Sequence, residues 1–242
     1  MKSFKKSLLF LLFLCLSIHS WADIPEEICI DEINIANEIS ITDEIIVTDK
    51  INIIDKIIEE NFKTLIQPFG SMRNIGSLYV DGNNLNISYE SGFDSYPSIM
   101  AYNIEGNSIS IILKCRPIRQ FFLRQYETAN SHYYLVNLFL NDNEEIEYNC
   151  FIIENPSLII DGFIFNTGII VSEYVNVRSN QSTQSRIVGR LYQNTKVEVI
   201  SIGSRLTQVA QMLDFWMEIK LDGNNFWVYG YYIDFLRSIV LK

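Results

Sequence analysis

The residues able to do covalent chemistry are few. The chain has two histidines, His19 and His132, and four cysteines, Cys15, Cys29, Cys115 and Cys150. A thiol nucleophile needs a lowered pKa, supplied by a helix start or a basic neighbour, and a histidine to take its proton. Neither Cys29, Cys115 nor Cys150 has such a local setting, and Cys150 follows Asn149 inside a strand-like run. Zinc asks for several His or Cys at ligand spacing, and that pattern does not occur. Paired carboxylates can cleave glycosides as acid and base, and Glu144-Glu145-Ile146-Glu147 is the densest acidic cluster of the middle region. It follows Asn141-Asp142-Asn143, so it reads as a solvated hairpin tip. Asp142, Asn143 and Glu145 lack the glycine and bidentate glutamate of an EF-hand. No glycine-rich phosphate loop is found. The expectation is a non-enzyme with no catalytic residue, no cofactor and no metal.

Binding chemistry is better supplied. Tyr174, Trp216, Phe226, Trp227, Tyr229, Tyr231 and Tyr232 crowd the last seventy residues. Aromatic rings fill small β cores and also floor sugar or peptide grooves. By strand alternation Phe226 and Val228 face one side, and Trp227 and Tyr229 the other. With Val228 as core, the ligand-contacting set expected is Trp227, Tyr229, Tyr231, Trp216 and Tyr174. Ile233 reads as core. Arg178, Arg186 and Arg190 would suit an acidic peptide or simply a solvated face.

The elements that position these rings are short strands. Glu173-Tyr-Val-Asn-Val-Arg-Ser, Ile187-Val-Gly-Arg-Leu, Thr195-Lys-Val-Glu-Val-Ile and Phe215-Trp-Met-Glu-Ile-Lys-Leu alternate apolar and polar residues, the period of a half-buried strand. Asp222-Gly223 marks a tight hairpin before Asn224-Asn-Phe-Trp-Val-Tyr-Gly-Tyr-Tyr-Ile233. Leu206, Val209, Ala210 and Leu213 fall at helical spacing, which predicts a short helix within 202–214. Taken in order, Val-Asn-Val-Arg-Ser, Ile-Val-Gly, Thr-Lys-Val-Glu-Val, Trp-x-x-Ile-Lys and Trp-Val before Tyr-Tyr-Ile resemble the bacterial SH3-like domain over Gly168 to Leu236. The resemblance implies a small non-catalytic β-barrel, usually outside the cytoplasm and often linked to cell-wall peptides. Two positions depart from the pattern: Asn194 and Phe226 stand where the family usually has glycine.

The chain opens Met1-Lys2-Ser3-Phe4-Lys5-Lys6, continues apolar from Ser7 to Ile18 and closes with Ser20-Trp21-Ala22. That is the form of a secretory signal peptide over residues 1–22, too short to span a bilayer. Cys15 follows Leu14, where lipoprotein processing wants a small residue, which argues against a lipid anchor. The expected address is periplasmic or extracellular, at the cell envelope, with no membrane span after cleavage. There are 19 basic and 29 acidic residues, and three of the basic ones lie in the leader, so the exported chain carries −13. Such a chain repels phosphate backbones, which excludes nucleic acid as a partner. Most of the net negative charge sits before residue 62, whereas residues 171–242 are slightly basic, as a separate module would be. An oxidising compartment would permit one disulfide, Cys115–Cys150 being the better placed pair, or leave buried thiols acting as small apolar groups.

Residues 23–52 form an acidic, Ile-rich arm. Within 32–55 a hexad repeats: Glu32-Ile-Asn-Ile-Ala-Asn, Glu38-Ile-Ser-Ile-Thr-Asp, Glu44-Ile-Ile-Val-Thr-Asp and Lys50-Ile-Asn-Ile-Ile-Asp. Hexads fit a short β-helix, a meander pairing with the next domain, or a partly disordered arm. From Ile53 the apolar spacing through Ile57, Ile58, Phe62, Leu65 and Ile66 turns helical, ending at Pro68 and Gly70. Strands are expected at 77–80, 85–89, 99–104, 108–113, 133–140, 146–153 and 158–165; residues 118–126 fit strand or helix. The expected class is α+β, mostly β: an α+β domain of a helix and an antiparallel sheet over 53–167, then an SH3-like barrel over 168–242. The expected function is an exported, non-enzymatic binding or targeting protein whose barrel takes a cell-wall peptide or an envelope protein. The alternative is an assembly protein that associates through its β-rich arm.

Overall fold

The computed structural model describes residues 52–69, 74–89, 95–117 and 129–241, which belong to one compact unit, 48–242. The leader, the arm before Asn52, Cys29 and segment 118–126 lie outside the described residues. The molecule is mostly β with one α-helix among them.

Helix α1 (Ile53–Glu59) starts where the side chain of Asn52 accepts the Ile54 N–H at 3.1 Å, a capping bond that satisfies a free helix-end donor. It stops well before the expected end near Ile66. Asn61 takes a left-handed φ of 50°, Phe62 N–H reaches the Ile57 carbonyl at 3.0 Å, and Asn61 N–H reaches that of Ile58 at 3.1 Å. These are the two bonds of a Schellman stop. Leu65 and Ile66, which continue the helical spacing by accident, lie instead in strand β1 (Lys63–Ile66). This strand pairs with β2 (Gly76–Asp81), which turns through Gly82 into β3 (Asn84–Ser88).

A five-stranded antiparallel sheet follows. It comprises β4 (Ser95–Glu105), β5 (Ser108–Pro117), β7 (His132–Leu140), β8 (Ile146–Ile153) and β9 (Ile164–Phe165) in the order β8-β7-β5-β4-β9, with β6 (Ala129–Asn130) outside it. The expected strand 158–165 shrinks to β9. Asn155 caps a one-turn 3₁₀ helix, Pro156–Leu158, through a 3.1 Å bond from Ser157 N–H, and Gly162 at φ 80° turns the chain. Proline at the first helical position favours that turn over a ladder.

The C-terminal sheet runs β12 (Ile187–Tyr192), β11 (Tyr174–Arg178), β15 (Asn224–Tyr229), β14 (Met212–Leu221), β13 (Lys196–Val209), β10 (Gly168–Ile170), β16 (Ile233–Phe235). Asp222 and Gly223 both take positive φ, 49° and 78°, as the hairpin signal predicts. Asn194 also takes positive φ, 65°, a conformation asparagine tolerates. The short helix expected within 202–214 is absent: β13 and β14 form one long hairpin with Val209 opposite Met212. Its turn is Ala210-Gln211, with Ala210 at φ 55°. Between Ile202–Met217 and Leu206–Phe215 the register slips, so residues 203–205 bulge opposite Trp216.

β5 is buried on both faces. Ile109, Ile111, Leu113 and Cys115 face a core shared with α1 and β2–β3, whereas Ile112 joins Met100, Tyr133, Val175, Val177, Phe215 and Val228 in the core beneath the C-terminal sheet. The segments before and after residue 168 thus share one apolar interior. Strand pairing crosses the same boundary. β17 (Ser238–Val240) returns to pair with β3, and β6 runs parallel to β14. Arg116 clamps Asp234 with bonds of 3.1 and 3.0 Å.

Lys114 supplies the tightest link. Its side chain is fully buried; Nζ donates to the carbonyls of Gly230 and, at 2.9 Å, Ile233, and lies 3.1 Å from Asp214 Oδ2. All three ammonium protons therefore have acceptors. Asp214, also fully buried, accepts from Ser131 Oγ at 2.7 Å, from the Phe215 N–H at 2.7 Å and from the Tyr133 hydroxyl. Burial first, and the neighbouring Asp214 carboxylate second, raise the Tyr133 hydroxyl well above its usual value, so it stays a donor.

Cys115 and Cys150 are both buried. Cys150 is level with Val136, and Val136 with Ile111, four residues short of Cys115. That offset is ~13 Å along the strand and two strand spacings across the sheet, beyond the ~7 Å Cα limit for a disulfide. Burial pushes the Cys150 thiol up to about 12. An unfolded thiol ionises near ~8.5, so the stabilisation is complete below that pH and is lost as pH rises toward 12. Urea melts at pH 7.5 and 9.5 should show a fall in stability that Cys150→Ala reduces. An unchanged slope in the variant would refute the assignment.

Candidate functional site

Three neighbouring strands, β11, β15 and β14, build the candidate site. Val175 and Val177, Val228, and Phe215, Met217 and Ile219 enter the core. Alternation therefore puts Tyr174, Asn176 and Arg178, Trp227 and Tyr229, and Trp216 and Glu218 on the opposite face. The pairing fixes their rows. Arg178 and Glu218 flank Trp227, and Trp216 lies opposite Tyr229. Continuing the β11–β15 register by two residues sets Asn176 on the other side of Tyr229.

A groove of about 390 Å³ opens over the Asn176–Tyr229–Trp216 row, within the ~300–1,000 Å³ range of small-ligand sites. Tyr174, Tyr232 and Val209 stand round it, and Glu173, Asn176, Arg178 and Thr183 supply polar groups. The rings support one another edge to face: Trp216 and Tyr229 centroids are 5.4 Å apart, and Tyr229 and Tyr232 are 6.0 Å apart. Such pairs add to the stability given by burial alone. The Tyr229 hydroxyl lies 2.8 Å from the Thr207 carbonyl and 3.0 Å from that of Met212, tying the long hairpin to the groove floor. Burial, then the nearby Asp214, raise this phenol far above its ordinary value, so it remains a neutral donor. Arg190 lies over the Tyr174 ring, 5.1 Å from its centre, a cation–π contact that steadies an exposed wall.

Of the five residues expected to touch ligand, Tyr174, Trp216 and Tyr229 line this groove. Trp227 occupies the next row, half-buried against the Trp216–Tyr229–Tyr231 cluster. Tyr231 does not line the groove; it is 3 % exposed, packed edge-on against Tyr232. Tyr232, Asn176 and Arg178 line the groove without belonging to the expected set. The period-two alternation of Glu173-Tyr-Val-Asn-Val-Arg is the signal that could have placed Asn176 and Arg178 beside Tyr174. Tyr232 depends on the 3₁₀ turn Gly230–Tyr232, which has no strand period to read.

The reactive side chains lie elsewhere. His132 is opposite Cys115 across β5 and β7, yet His132 is exposed while Cys115 is 1 % exposed. A substrate could not reach that thiol without opening the sheet. Among the described residues no three His, Cys, Asp or Glu side chains gather as a metal set, and no helix is long and apolar enough to cross a membrane.

A walled aromatic floor on the outer face of a sheet, rimmed by polar side chains, is the site of a binding module. The segment that builds it matches a known family: the bacterial SH3 domain model covers residues 173–234, which hold every groove aromatic. No curated protein and no solved structure matches the chain significantly.

Proposed function

We propose that this is an exported, non-enzymatic binding protein of the bacterial cell envelope, whose C-terminal strands close as an SH3-like barrel and take a short cell-wall peptide in the aromatic groove. The observation that carries the reading is the groove itself, built wholly inside the segment that matches the bacterial SH3 domain. Domains of that family are binding modules, often for the cell wall, and the basic-flanked leader of residues 1–22 supports export. The buried state of Cys115 and the raised Cys150 thiol support a role without bond cleavage. In this reading the helix-plus-sheet domain before residue 168 is a scaffold: through Lys114 it holds Gly230 and so the turn that carries Tyr232.

The test is co-sedimentation of the whole chain, without its leader, with isolated peptidoglycan sacculi. The expected result is saturable retention in the pellet that soluble stem peptide displaces. Protein left in the supernatant at every sacculus concentration would overturn the reading, as would release of soluble muropeptide by the protein alone.

A further inference from the structure

The groove contains two buried polar atoms that have no hydrogen-bond partner: the indole nitrogen Nε1 of Trp216 and the side-chain oxygen Oδ1 of Asn176. Trp216 is only 2 % exposed and lines the groove. A buried donor or acceptor left unpaired costs ~1–3 kcal/mol, and more than ~90 % of such groups in native proteins are paired. Here one donor and one acceptor go unpaired in the same groove, at the two ends of the row Asn176–Tyr229–Trp216. Tyr229 between them is already bonded to the Thr207 and Met212 carbonyls and does not compete.

We propose that the groove is built around a main-chain amide of its ligand, whose N–H donates to Asn176 Oδ1 and whose carbonyl accepts from Trp216 Nε1. The proposal rests on the peptide-binding reading above and names the group that is recognised. Geometry selects the amide. The two residues stand two strand spacings apart, ~10 Å between Cα atoms, and an amide presents its N–H and its C=O in opposite directions. A hydroxyl offers donor and acceptor at one atom and cannot serve both ends. A carboxylate has only acceptors and would leave Asn176 Oδ1 unpaired. The rings of Tyr174 and Tyr232 then flank the chain on either side of that amide, and Arg178 and Glu173 meet polar groups at its ends.

The test uses the whole chain without its leader, labelled with ¹⁵N, and three probes: end-capped trialanine, an oligo-lactate ester of the same length, and N-acetylglucosamine. The ester keeps the carbonyls and lacks every N–H. Trialanine should move the Trp216 indole N–H signal downfield, and the ester should bind about tenfold more weakly or worse. Asn176→Leu should lose about the same factor for trialanine while Asn176→Asp, which keeps an acceptor, retains most of the affinity. Trp216→Phe should weaken both probes alike, since each offers carbonyls. Equal affinity for peptide and ester, or an indole signal that no probe moves, would overturn the proposal. Stronger binding of N-acetylglucosamine than of trialanine would overturn it in favour of a sugar acetamido group. Capture on sacculi without an indole shift would leave the cell-wall reading standing and remove this one; a shift without capture would do the reverse.

Discussion

Replacing Lys114 by methionine should lower the unfolding free energy by about 3–5 kcal/mol, the usual cost of breaking a buried ion pair from one side. Methionine preserves most of the volume, so the loss comes from what is left behind. Asp214 stays fully buried with no cation, and the carbonyls of Gly230 and Ile233 lose their donor. Native stability is commonly only ~5–15 kcal/mol, so the change removes a large share of it. Urea unfolding followed by far-ultraviolet circular dichroism and by tryptophan fluorescence checks this. Both signals should move together to lower urea, because strands on either side of residue 168 share one core. A shift below about 1 kcal/mol would mean that the pair is far more solvated than its burial says. Two separate transitions would mean that Lys114 does not join the two sheets.

The same lysine shows where a sequence stops being readable. In Ile111-Ile-Leu-Lys-Cys a lysine reads as the solvent end of a strand, because charged side chains are rarely buried unpaired. Its partner Asp214 lies a hundred residues away, and nothing local announces the pair. The groove face was legible for the opposite reason. β11 and β15 have one buried side, so period-two alternation assigns Tyr174, Trp227 and Tyr229 to the other without knowledge of neighbours. The long β13–β14 hairpin was hidden by its turn, since Ala210 takes a left-handed φ that sequence rules reserve for Gly or Asn. Leu206, Val209 and Leu213 then mimic a helical stripe. The helix end at Asn61 was masked in the same way by Leu65 and Ile66, which keep the spacing but belong to β1. What could not be read at all is the pair of unpaired polar atoms, because only the fold shows that Asn176 and Trp216 share a row with Tyr229.

Removing the ring of Tyr174 should be the most damaging change to binding that leaves the fold alone. Tyr174 is 48 % exposed and touches the rest of the groove from outside, so Tyr174→Ala should cost ~1 kcal/mol of stability or less. Its contribution appears when a ligand covers it. A tyrosine that becomes buried at the centre of an interface typically accounts for ~2 kcal/mol or more, which is about a 30-fold loss of affinity. The loss should be greater than for Arg190→Ala, which removes only the cation over that ring, worth ~0.5–1 kcal/mol at an exposed site. Tyr192→Ala is the control. Tyr192 is more exposed still, 63 %, on the edge strand β12 and outside the groove, and its loss should change affinity less than about twofold. Binding isotherms on sacculi for the three variants rank these effects directly. If Tyr192→Ala weakened capture as much as Tyr174→Ala, the recognition surface would be the β12 edge, and the groove over Tyr229 would be an incidental hollow between hairpins.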